Sequence, residues 1–110
     1  MSILRILLAT SLLTVPVATI NAADNNIKFA GKWAGKWADR WPMSLEITSI
    51  QGDTASFVYT HPDGNSGGKC KLTANSAACG NLRLILKGDN SGQVLGNFQN
   101  NRHLEAQVSR

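Results

Sequence analysis

The chain has two histidines and two cysteines in 110 residues. His61 and His103 are far apart, and Cys70 and Cys79 are best read as a disulfide, so neither a zinc site nor any other metal or cofactor is expected. Asp63-x-Asn65 and Asp89-Asn90 lack the twelfth-position glutamate of an EF-hand and read as turns. Charged residues make up only 16% and hydrophobic ones 43%, which argues against chain-wide disorder. The length leaves room for one domain. A Rossmann domain with a partner, a TIM barrel and a two-barrel protease are all too large. No window sustains a helical apolar period, and only one apolar run is long.

That run is Ile6–Ile20, preceded by Arg5 and followed by Asn21-Ala22-Ala23 and Asp24. A basic start, an apolar middle shorter than the roughly 20 residues that span a bilayer and a small-residue end form a secretory signal. We expect 1–22 to be a signal peptide and 23–110 the single mature domain. No cysteine lies near the cut to carry a lipid, and no further span remains. The expected location is exported, periplasmic or secreted.

Period-two alternation runs through most of the mature chain. Phe29, Gly31, Trp33, Gly35 and Trp37 share one face, with Lys28, Lys32 and Lys36 on the other. Trp41-Pro42 reads as a strand break. Ser44–Ile50 places Leu45 and Ile47 inward, and Thr54–Thr60 does the same with Ala55, Phe57 and Tyr59. His61–Gly68 reads as a long polar loop. Leu82, Leu84 and Leu86, then Val94, Gly96 and Phe98, then Leu104, Ala106 and Val108 give three further apolar faces. The sum is six to eight short strands joined by short turns. An all-β, antiparallel up-and-down barrel is the economical fold, with a β-sandwich as the alternative.

The cysteines fit this scheme. Positions 70 and 79 are symmetric about Ala74-Asn75, so a two-residue turn would pair Thr73 with Ser76 and, three steps out, Cys70 with Cys79. That count lands on a non-hydrogen-bonded pair, where side chains approach most closely. An export signal also implies an oxidising compartment.

Gly31-Lys-Trp33-Ala-Gly35-Lys-Trp37, Leu45-Glu-Ile47, Ile50-Gln-Gly52-Asp53-Thr-Ala55 and Tyr59 together resemble small β-barrel domains of calycin type. The first run is similar to the G-x-W-x-G-x-W opening of short lipocalin- or avidin-like modules. The resemblance spans Phe29 to Tyr59 and implies a small barrel; no biotin-site pattern accompanies it.

Catalytic chemistry is sparse. Gly64-Asn65-Ser66-Gly67-Gly68 superficially matches the nucleophile loop of trypsin-like proteases, but a triad needs its histidine and acid on separate rigid elements. Glu46 and Glu105 are expected to point outward rather than into one pocket. We therefore expect a non-enzymatic binding protein. A small apolar or glycan-like ligand would sit at the barrel mouth against Trp41, Tyr59, His61, Asp63 and Asn65. The alternative is a periplasmic interaction module, such as an inhibitor or immunity protein of a cell-envelope enzyme. Lys28, Lys32, Lys36, Arg83 and Lys87 form a candidate basic patch for an anionic partner. Nucleic acid is not an expected partner, because aromatics and basic residues do not share a face.

Overall fold

The computed structural model describes residues 26–110. The expected signal peptide, 1–22, lies outside the described residues. After a 3-10 turn at Ile27–Phe29 come β1 (Gly31–Trp37), β2 (Trp41–Gln51), β3 (Thr54–His61), β4 (Gly64–Leu72), β5 (Ser76–Cys79), β6 (Leu82–Leu86), β7 (Ser91–Phe98) and β8 (Arg102–Ser109). Each strand is hydrogen-bonded antiparallel to the next, and β1 pairs with β8 to close the barrel. Both the barrel and the meander topology match the sequence-based expectation; the sandwich alternative does not describe the chain.

The alternation explains the core. Trp33, Leu45, Ile47, Leu84 and Val94 point inward and are all but inaccessible. Closing a sheet of eight strands brings β8 hard against β1 at Gly35, whose missing side chain leaves room for the Gln107 carbonyl. Gly96 likewise yields space: a Cβ there would lie 2.9 Å from the Trp37 ring and 2.6 Å from Phe98. Glycine at these inner positions therefore admits a neighbouring backbone or ring.

One end of the barrel is plugged. Phe29 comes from the 3-10 turn, not from the first strand as expected, yet it is fully buried. Its carbonyl accepts the Trp33 indole N–H at 2.9 Å. Over the Trp33 ring lies the Arg110 guanidinium, 4.5 Å from the centroid. Arg110 also donates from Nη1 to the carbonyls of Lys28 and Ala30, at 2.8 and 2.6 Å, and from Nη2 to that of Asp89. Lys28 Nζ donates to the Ala74 carbonyl, tying the same turn to the β4–β5 hairpin.

Cys70 and Cys79 form the expected disulfide, on facing residues whose Cα atoms are 4.2 Å apart. Closing so short a loop stabilises a chain by about 2.5–3 kcal/mol in the chain-entropy model. Cys70→Ser should remove that much, read as a shift in the denaturant midpoint under oxidising conditions. An unchanged midpoint would contradict it.

Two expectations need correction. Trp41-Pro42 does not break a strand but opens β2, facing Trp37 and Lys36. Pro42 precedes the β3 ladder, which starts at Ser44, and the start of a strand is where a missing amide costs least. Nor is His61–Gly68 a long loop. His61 ends β3, Gly64 begins β4, and only Pro62-Asp63 turns between them. Gly, Ser and Asn have poor strand propensity, but pairing with the Phe57–Tyr59 stretch overrides it.

Candidate functional site: the open end of the barrel

In an up-and-down barrel, alternate hairpins meet at the same end. The β1–β2, β3–β4, β5–β6 and β7–β8 connections gather opposite the plug and surround an open cup of about 1300 Å³. Trp37, Tyr59 and Phe98 form its floor, and Trp41, His61, Asp63, Asn81, Asn97 and Arg102 stand around it.

Aromatic packing fixes the floor. Trp37 meets Phe98 edge-on at 5.5 Å and Tyr59 at 6.3 Å between centroids. The Trp37 indole N–H donates to the Tyr59 hydroxyl at 2.7 Å. Tyr59 is only 8% exposed, and no acceptor for its own hydroxyl hydrogen occurs among the described residues. Tyr59 lines the open cup, where solvent or a ligand oxygen can accept that hydrogen. His61 stacks on Tyr59 at 5.0 Å. Its Nδ1 accepts the Asp63 backbone N–H at 3.3 Å.

The rim is cationic on one side. The guanidinium groups of Arg40 and Arg102 lie 4.8 and 5.6 Å from the Trp41 ring centroid, within cation–π range. Trp41 itself stays 36% exposed. The sole ion pair among the described residues is remote, between Lys71 and Asp53 at 2.8 Å. Its hydrogen bond and charge hold the Asp53 carboxyl below its ordinary pKa.

Burial pushes the Tyr59 phenol above its ordinary pKa, against the smaller opposing effect of the Trp37 hydrogen bond. A raised folded value means the associated stability is complete below the unfolded pKa near 10. It is then lost as pH rises through the folded value. Tyr59 is the single tyrosine, so tyrosinate absorbance reads it alone. The native titration should lag that of the denatured chain; coincident curves would mean that the ring is not enclosed.

Of the residues expected at the mouth, Trp41, Tyr59, His61 and Asp63 meet there. Asn65 does not, because it lies on β4 rather than in a loop. Ser66 is also a strand residue, facing Tyr59, and among the described residues no histidine is hydrogen-bonded to it. The expected basic patch is not assembled. Lys28 belongs to the plug, Lys32 and Lys36 lie on β1, and Arg83 and Lys87 lie on or just past β6, with β7 and β8 between. Those two strands place Gln93, Gln107 and Glu105 in the gap. Outward alternation gives a residue's face but not its bearing around a closed barrel. Arg40, Asn81, Asn97, Phe98 and Arg102 were missed, though the meander parity places every second hairpin at one end and could have found Arg40 and Asn81.

Comparison with known proteins found no matching family model and no matching curated protein. Among solved structures, a redesigned beta barrel matches with a TM-score of 0.58 and 16% identity, over 81% of this chain and 94% of that one. At that identity the likeness is one of fold.

Proposed function

We propose that the chain is an exported, non-enzymatic barrel of calycin type that takes a small ligand, apolar or glycan-like, in the cup at its open end. The observation that carries this reading is the open cup of about 1300 Å³ with its aromatic floor, into which the Tyr59 hydroxyl is free to donate. A ligand oxygen would accept that hydrogen while Trp37, Trp41 and Phe98 contact the ligand body. The barrel interior below is filled by Trp33 and its aliphatic neighbours, so the ligand stays at the mouth. Export is supported by the Ile6–Ile20 pattern and by the disulfide.

Native mass spectrometry of the protein released gently from its host tests this. The reading expects a chain lacking 1–22 and carrying a small adduct. Tyr59→Phe should weaken retention of that adduct about tenfold, the value of one hydrogen bond. A bare chain whose indole signals stay unmoved by mono- and disaccharides or aromatic alcohols would sink the reading. A second reading, an interaction module for a cell-envelope protein, is favoured by Trp41 with its two arginines, since exposed Trp and Arg dominate binding hot spots. Recovery in complex with another protein would move the assignment there.

A further inference from the structure

The β4–β5 ladder is short. It runs only from Cys70↔Cys79 to Leu72↔Ala77, although β4 begins at Gly64. On its other side β4 pairs with β3 without a register break, from Thr54↔Lys71 to His61↔Gly64. The stretch Gly64–Lys69 therefore has one bonded side and one bare side, and every residue in it is exposed. The disulfide sits where the two strands part.

Parity identifies the groups on the bare side. The Leu72 N–H bonds to the Asp53 carbonyl, toward β3, at 2.7 Å, and the Thr73 N–H bonds to that of Ser76, toward β5, at 2.9 Å. Successive residues of an antiparallel strand alternate in this way. Ser66 and Gly68 thus face β3, while Asn65, Gly67 and Lys69 turn their N–H and C=O groups to the bare side. Sheets normally blunt such an edge with proline, charge or a covering segment. Lys69 stands at one end of the bare stretch and Pro62-Asp63 before the other, but Gly64–Gly68 between them carries neither proline nor charge.

We propose that this edge docks an extended segment of a partner protein, which adds as a strand in the notch between β4 and the β5–β6 hairpin. Three features define the occupant. A row of alternating donors and acceptors is matched only by an extended backbone. Outside the notch stands Lys69, whose Nζ donates to Ser56 Oγ at 3.1 Å and has no acidic partner among the described residues; outward side chains of the segment are therefore acidic. Inside, the buried Phe57 ring lies directly behind Gly68 and Gly80, 3.2 and 3.7 Å from where their Cβ atoms would be. Inward side chains are therefore small or β-branched and apolar. The notch borders the cup through Asp63 and Asn81, but its donors and acceptors are backbone groups of β4 and do not depend on a ligand in the cup.

The test is amide hydrogen exchange on the oxidised chain, with a blocked peptide of about six residues alternating valine and glutamate. Binding should slow exchange at least about tenfold at Asn65, Gly67 and Lys69 and leave Ser66 and Gly68 unchanged. The same peptide N-methylated at every residue should protect nothing, and Lys69→Glu should shift preference toward a valine–lysine peptide. Absence of protection at the three amides, or equal binding of the N-methylated peptide, overturns the proposal. Protection that grows with protein concentration and needs no peptide assigns the edge to a second copy of the chain and overturns it too.

Discussion

Trp33→Ala should cost about 3–5 kcal/mol, read from denaturant unfolding. Trp33 is fully buried at the plugged end. Three things depend on its ring and indole. The N–H holds the Phe29 carbonyl, the face carries the Arg110 guanidinium, and the bulk fills the lower barrel. Alanine leaves a cavity that the hydrogen-bonded ladder on every side cannot collapse to fill. Against the ~5–15 kcal/mol total typical of such domains, the variant should be marginal or unfolded at ambient temperature. Arg110→Ala should cost less, because it removes the cover and leaves the filling. A loss below about 0.5 kcal/mol for Trp33→Ala would mean that the inner face has been misassigned.

Gly35→Ala should cost as much as or more than the ~1–3 kcal/mol of ordinary overpacking. The added methyl would run into the Gln107 backbone carbonyl and lie 3.0 Å from Val108. A flexible side chain could swing away; a ladder carbonyl in the closing pair β1–β8 cannot. Ala34→Gly, one residue back on the exposed face, should cost only about 0.5–1 kcal/mol. Similar losses for the two would show that the seam can yield, and that the inner glycine is a matter of propensity alone.

Much of this fold is legible in the sequence because it rests on short-range rules. The Cys70–Cys79 pairing follows from index symmetry about Ala74-Asn75, and Trp33 and Trp37 announce their face by alternating with glycines. His61–Gly68 misleads because propensity is local, whereas what holds Gly64–Gly68 extended is β3, which binds it along its length. The basic residues mislead for a related reason. A flat strand has two faces, but a closed barrel has eight directions, and only the register says which direction each lysine takes. The cup was half legible. Tyr59 and His61 stand out as chemistry beside a turn, while Phe98 and Arg102 gain meaning only when hairpins distant in sequence are seen to share an end.

The seam between β1 and β8 also carries an expectation for the order of folding. Ala34 pairs with Ser109 and Trp37 with Ala106, and the Arg110 side chain reaches back to the carbonyls of Lys28 and Ala30. Every other strand pairing joins sequence neighbours and can form as the chain emerges. The closing one must wait for the final residues of β8, and such long-range pairing is the slow step of β topologies. Until then β1 and β8 are both open edges, and the plug has no lock. A chain stopped a few residues short of Arg110 would hold most of its hairpins and yet no barrel.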